Sequence, residues 1–446
     1  MAQSFYIVLQ TASFKIRSMK FSPLKRMATW VMVLAITATS CSDKKASQLV
    51  IENTDIERPH ELVVLKRTEL ESKVDSLLPG KYIILKQDGR PLVVQHDDRD
   101  GDGAWDEIAF LLPLQTGEKK VLDIEVSDAP ATIKAAVLAH VRHKRKNADN
   151  TFGDDLQSDT VPAGQPATDF SKQALPPFLT EGPAWENDKV GFRLYFDVRN
   201  GKDIWGKTTT RMVLDEVGTD TAKNYHAQAD WGMDVLKVGK SLGAGSLALL
   251  MKDAGGKDTL VRLGGVNMGS IVYQKVADGP VRAIFRLQYP GWKPLDSVNV
   301  VTVAEEISIW GGQYFYESNV YLSGAPAGSK LVTGIVNLHS HASKNIDTTG
   351  YNVLYTYDTQ SENKDNLGMA LLVSKKAFDS FITTPNANTE VQNTYAVAFK
   401  STNDPVTYRF YAGWQPSDPQ FASEAAFRQF LSQEIKRSSP VNISWK

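Results

Sequence analysis

Cysteine is almost absent from this chain. Cys41 stands alone among 446 residues, so no intrachain disulfide can staple the fold. A surplus of one charge is lacking too: 50 basic side chains face 51 acidic ones, for a formal net charge of −1. That balance argues against a general nucleic-acid binder, whose affinity rests on excess Lys and Arg. There is no internal repeat and no second transmembrane candidate. No H-E-x-x-H pair or Ser/His/Asp signature is found. What remains is an ordinary globular composition, 42% hydrophobic and 23% charged.

The leader accounts for the lone cysteine. Lys20, Lys25 and Arg26 form a basic region, and Met27 to Thr39 is apolar but too short for a permanent span. Ala38-Thr39-Ser40 then leads into Cys41. This order resembles a bacterial lipobox, so residues 1–40 are expected to be a signal peptide, with Met1 or Met19 as the start, and Cys41 an acylated first residue. A buried free cysteine in an N-terminal helix is the alternative, although burial would not require that order. Ser42-Asp43-Lys44-Lys45 lacks the acidic run that sends many such lipoproteins to the cell surface, which favours an outer-membrane anchor facing the periplasm.

Removing the leader leaves about 405 residues, enough for one very large domain or two. Residues 41–60 are polar and expected to be a tether. A small N-terminal β-sandwich is expected over 61–146, because Leu62 to Lys66, Tyr82 to Leu85, Leu92 to Gln95, Ile108 to Leu112 and Val121 to Val126 read as strands, several with period-two alternation. Residues 147–180, rich in Asp, Ser, Thr, Gln and Pro, read as a linker or long loop. From 181 to 446 the β pattern recurs at larger scale, as in a large antiparallel sandwich. One helix is predicted near the end, with Asp418 as N-cap, Pro419 in its first turn, and Phe427, Phe430, Leu431 and Ile435 on one face. The fold class is therefore mainly β with few helices.

Five stretches bear chemistry. Asp98, Asp100, Asp102, Asp106 and Glu107 alternate around Gly103 like the first half of a Ca²⁺ loop, but position 109 is Ala and the flanks read as strands. A structural Ca²⁺ on a β-hairpin and a solvated acidic turn both remain open. The runs Glu181 to Lys207 and Asn224 to Leu249 concentrate Trp185, Glu186, Asp188, Arg193, Tyr225, His226, Asp230, Trp231, Asp234 and Lys237. His, Tyr and Lys carry protons, carboxylates orient them, and Trp offers a flat face to a sugar ring. His339 and His341 share a face if they lie in a strand. The basic run from His140 to Lys146 is either a solvated strand end or a receptor for an anionic sugar.

The runs WENDKVGFRLYFDVRN, DIWGK, YHAQADWGMDVLKVGKSLGAGSLAL, Gly279 to Ala283 and QHDDRDGDGAWDEIAFLLPL resemble a Bacteroidetes family catalogued as a domain of unknown function. Its members are found in polysaccharide-utilisation gene clusters. The resemblance implies a galactose-mutarotase-like β-supersandwich. It also implies company with unsaturated uronyl hydrolases of pectin and ulvan breakdown, and an oligosaccharide dehydratase activity on terminal uronic acids. A dehydratase would remove the proton at C5, stabilise the enolate-like intermediate, and protonate the departing 4-hydroxyl. On that expectation His226 or Tyr225 carries the proton, and Lys237, Arg193 or Arg282 balances the substrate carboxylate. Glu186, Asp188, Asp230 and Asp234 orient these groups, and Trp185 or Trp231 stacks on a sugar. A β-eliminative lyase, an epimerase or mutarotase, and a non-catalytic glycan-binding lipoprotein are the alternatives.

Overall fold

The computed structural model describes residues 46–220, 222–296, 298–400 and 404–446. The leader and Cys41 lie outside the described residues. Period-two alternation builds most of the rest. In strand Val301–Trp310, Val301, Val303, Glu305, Ile307 and Ile309 are buried, while the residues between them from Thr302 to Ser308 are more exposed. The charged member of that buried row, Glu305, is neutralised inside the core by Lys202, whose ammonium also reaches the Gly245 carbonyl at 3.1 Å.

The protein is mainly β and its sheets are antiparallel. At the N-terminal end a five-stranded sheet runs in the order Asn442–Trp445, Gln48–Glu52, Lys119–Ser127, Tyr82–Gln87 and Arg90–Pro91. It shares a core with a three-stranded sheet of Arg58–Lys66, Glu107–Leu114 and Gln95–Asp97, through Leu49, Ile51, Val63, Leu65, Ile83, Phe110 and Leu122. From Gln48 onward the expected tether is thus structural: Leu49, Val50 and Ile51 are buried. A three-residue apolar run between polar flanks is too short to stand out in the sequence.

The larger part pairs a nine-stranded sheet with two five-stranded sheets. The nine-stranded sheet runs Ser158–Val161, Ile271–Asp278, Arg282–Trp292, Val301–Trp310, Phe315–Ser323, Val406–Trp414, Leu367–Ser374, Tyr351–Asp358 and Lys344–Asp347. One smaller sheet consists of Asp258–Arg262, Ala244–Lys252, Lys330–Val336, Thr394–Phe399 and Phe378–Thr383. The other consists of Gly232–Asp234, Lys202–Lys207, Val190–Leu194, Ala184–Asn187 and Ala139–Arg142. All three contribute to one hydrophobic core. The stretch 147–180, expected as a linker, carries strands Phe152–Asp155 and Ser158–Val161, the latter closing an edge of the large sheet. Edge strands face water along one side, so they tolerate the polar composition that hid them.

The helix near the end spans Glu424–Arg437 and buries Phe427, Phe430, Leu431 and Ile435 against Phe315, Tyr355 and Tyr411 of the nine-stranded sheet. Its N-cap is Ser423, whose hydroxyl accepts the Ala426 N–H at 3.2 Å. Asp418 instead caps the separate 3₁₀ turn Pro419–Phe421. The apolar face was legible, and the helix begins one turn later than Asp418-Pro419 suggests.

Candidate active site

The site grows from cross-strand register. Arg193 on Val190–Leu194 pairs with Asp203 on Lys202–Lys207, and Trp205, two residues on, pairs with Asp234 on Gly232–Asp234. Residues two apart share a face, so Arg193, Asp203, Trp205 and Asp234 project together, while Phe192 and Ile204 point into the core. Gly232 makes the close approach possible: its φ is 128°, and a Cβ there would stand 1.8 Å from the Gly206 carbonyl oxygen.

This polar face is covered by loop 208–231. Its neck closes through Thr208 N–H to Trp231 O at 2.9 Å. Glu186 accepts the Val213 and Leu214 N–H groups at 2.6 and 2.8 Å, and Arg142 donates to Leu214 O at 3.1 Å. Val213, Leu214, Val217 and Trp231 pack on Trp205, so the charged face is buried rather than solvated. Beneath it, Thr180 and Glu181 both adopt left-handed backbone, φ 50° and 69°, a costly conformation for two successive non-glycine residues. Arg142 holds this turn by donating to Leu179 O at 2.7 Å.

Arg193 is the hub. Its Nη2 donates to Asp234 at 2.7 Å and to the Tyr195 hydroxyl at 2.8 Å, and it also pairs with Asp203. Tyr195 in turn donates to Asp203 at 3.0 Å. One guanidinium between two buried carboxylates leaves an excess of negative charge. Burial, and then the charge of Asp234, pushes Asp203 up to about 7. The Nδ1 of His226 stands 3.2 Å from Asp234, which raises the imidazole above its ordinary value. Burial, with Asp203 and Asp234 nearby, holds the Tyr195 phenol protonated far above its usual range.

His226 and Asp234 open on a cavity of about 380 Å³ that Tyr195, Arg199, Lys237, Arg262 and Glu362 also line, a size within the range of small-molecule sites. Arg199 is held by Glu181 at 2.6 Å and by Asp197. The structure therefore brings His226, Asp234, Lys237 and Arg193 together. Tyr225 sets its ring 4.4 Å from that of His226 and its hydroxyl 3.4 Å from Arg193, and lines a second cavity of about 770 Å³ within loop 208–231. Tyr195, Arg199, Asp203, Arg262 and Glu362 were not anticipated. The run VGFRLYFDVRNGKDIWGK contains three of them, and alternation of charge within a strand was the one available signal.

Other expected residues serve the fold. Trp185 is fully buried in the main core and offers no open face to a sugar, whereas Trp231, packed against Trp205, lines the second cavity. Glu186 pairs with Lys207, and Asp188 accepts the Gly312 N–H at 2.6 Å. Asp230 is exposed, 3.6 Å from Arg211. Arg282 is committed to Asp97 and Glu107, each at 2.6 Å. His339 and His341 sit in the turn after Lys330–Val336 and not in a strand, so the shared-face premise does not apply. His339 is 3.9 Å from Glu362, and His341 donates its backbone N–H to Asp358 at 3.1 Å. In the basic run, Arg142 and His143 are buried, and His140, Lys144 and Arg145 pair with Asp215, Asp278 and Asp159, which leaves no open anion receptor there.

In the acidic loop, one oxygen each from Asp98, Asp100 and Asp106 lies within 4.8 Å of the others. Asp102 and Glu107 lie outside this group, and Glu107 is paired with Arg99 and Arg282. The three-carboxylate set suits a hard cation such as Ca²⁺.

Residues 50–443 match the family described as "Domain of unknown function (DUF4861)", and the chain belongs to that family. It is 22% identical to "Uncharacterized protein P7" of Formosa agariphila, over 94% of this chain and all of the relative. Among solved structures it resembles an α-mannosidase from Enterococcus faecalis V583, with TM-score 0.47, 9% identity, and coverage of 90% of this chain and 46% of that one. A glycosyl hydrolase family 38 protein from Enterococcus faecalis gives TM-score 0.48 and 9% identity, over 90% of this chain and 48% of that one. The chain spans about half the length of these two structures, and neither likeness carries an activity to it.

Proposed function

We propose that this DUF4861 protein is a carbohydrate-active carbon–oxygen lyase, a dehydratase that eliminates water from the terminal uronic acid of oligosaccharides from ulvan or a similar uronate polysaccharide. The observation that carries the reading is the His226–Asp234 pair: a half-exposed imidazole, held at Nδ1 by a buried carboxylate, on a cavity it shares with Tyr195. The sequence resemblance to a family of polysaccharide-utilisation clusters supports the same substrate class.

Chemically, neutral His226 accepts the proton from C5, which lies α to the sugar carboxylate. The electron pair of the broken C5–H bond forms the C4=C5 double bond, and the C4–O bond breaks. Tyr195 gives its proton to the departing 4-hydroxyl, which leaves as water, and the Arg193 guanidinium, 2.8 Å from the phenol oxygen, balances the phenolate left behind. Proton return from His226 to Tyr195 through solvent resets the site. The product, a 4,5-unsaturated uronyl end, is the substrate of an unsaturated uronyl hydrolase acting downstream. On the lipobox at Cys41 we place the enzyme as an acylated lipoprotein facing the periplasm, tested by loss of palmitate labelling in Cys41→Ala.

The reaction is tested by ultraviolet absorbance of the conjugated unsaturated uronate on incubation with uronate oligosaccharides. A rise with mass loss of one water and no chain cleavage is expected. No rise on ulvan, pectin and glycosaminoglycan fragments sinks the reading. Solvent deuterium entering C5 without water loss replaces it with an epimerase.

A further inference from the structure

We propose that Arg262, with Lys237 on the same cavity, is the receptor for the carboxylate of the sugar on which His226 acts. The proposal rests on reading that cavity as a saccharide site and identifies which residue selects the substrate's charge.

Arg262 ends the strand Asp258–Arg262, and the turn that follows folds against the Val198–Asn200 turn. Gly265 N–H donates to Val198 O at 2.7 Å, and the Asn200 side chain donates to Leu263 O at 2.9 Å. These contacts hold Arg262 on the cavity beside Arg199. Its backbone N–H donates to Glu390 at 3.2 Å, yet its side chain makes no ion pair or hydrogen bond with any described residue. Its Nε is buried without a partner.

The other charges around the cavity are engaged. Arg199 is held by Asp197 and Glu181, Asp234 by Arg193 and His226, and Glu362 lies near His339. Arg193 and Arg282, which with Lys237 are the cations the sequence offers, are saturated by carboxylates. A mostly buried guanidinium without an acceptor is costly, and burial draws its pKa down from the ordinary value against the opposing charges of Glu390 and Asp197. A carboxylate presented in its plane satisfies two N–H groups at once, a geometry that arginine provides and lysine does not. Lys237, exposed and unpaired among the described residues, adds a mobile second charge.

The test titrates the mature His226→Ala chain calorimetrically with an unsulfated uronate-terminated oligosaccharide and its carboxyl-reduced counterpart, with and without Arg262→Gln or Arg262→Lys. The uronate is expected to bind about tenfold to a hundredfold more tightly than the reduced probe. Arg262→Gln should abolish that difference and Arg262→Lys should keep part of it. Equal weakening of both probes, no change in either, or no binding of either probe overturns the receptor. Should Arg262→Gln fail to fold, full retention of the preference in Arg262→Lys is the overturning result. Selective binding lost in Arg262→Gln, together with no unsaturated product from the wild type, leaves the receptor and removes the elimination.

Discussion

The Nδ1 of His226 and the carboxylate of Asp234 stand 3.2 Å apart, across the boundary between a half-exposed ring and a fully enclosed acid. Asp234 is also bound to Arg193, so the imidazole is oriented by a group that cannot itself move. Replacing His226 with Ala is expected to lower turnover by about 10²–10⁴-fold while leaving the melting temperature within a few degrees. Initial rates of unsaturated-product formation and a thermal melt check this.

The acid side of the rate profile follows from the same pair. His226 must be neutral to accept a proton, and Asp234 raises its pKa above 6.5. Activity should therefore rise with pH through a midpoint above 6.5. In Asp234→Asn that midpoint should fall back toward the ordinary value, while the remaining activity persists at lower pH. A kcat/KM profile for both proteins decides it.

A separate histidine links pH to stability. His140 lies 3.1 Å from Asp278 and 3.2 Å from Asp215, the latter an ion-pair distance without hydrogen-bond alignment. Burial lowers its pKa, but the two carboxylates outweigh that and raise it to about 9. A raised folded-state pKa means stabilisation that is complete below about 6.5. It is lost as pH rises through about 9. Thermal melts from pH 6 to 10 should show the loss, and His140→Gln should flatten it.

Trp185 should behave as a core residue. Its ring meets Phe285 at 5.1 Å and Tyr316 at 5.4 Å, with no exposed face. Trp185→Ala is expected to cost about 3–5 kcal/mol of stability by opening a cavity. Denaturant titration measures the loss, and an unchanged midpoint would contradict the assignment.

How much of this was legible in the chain depends on where the information lies. The half-buried strands announced themselves by alternation: Val121 to Val126 falls inside Lys119–Ser127, and the helix showed its face through Phe427, Phe430, Leu431 and Ile435. His226, Asp234 and Lys237, which line one cavity, were legible as a group because they crowd one segment. Arg262 and Glu362 were not, since tertiary turns bring them to the cavity from distant strands. Trp185, a candidate sugar platform, and Arg193, a candidate carboxylate receptor, are both enclosed. Their sheet is covered on both faces, by the core and by loop 208–231, so side chains that look solvent-facing in the sequence are enclosed. His339 and His341 would share a face only in a strand, and the turn after Val336 removes that condition.

Strand Asn442–Trp445 pairs with Gln48–Glu52, residue 445 opposite residue 49. During synthesis this sheet therefore stays incomplete until residues 442–445 have been made. Until then the edge of Gln48–Glu52 stands open, and an open edge invites pairing with another molecule. The sheet is thus begun at Gln48 and finished only at Trp445, and truncation before Asn442 would leave it unfinished.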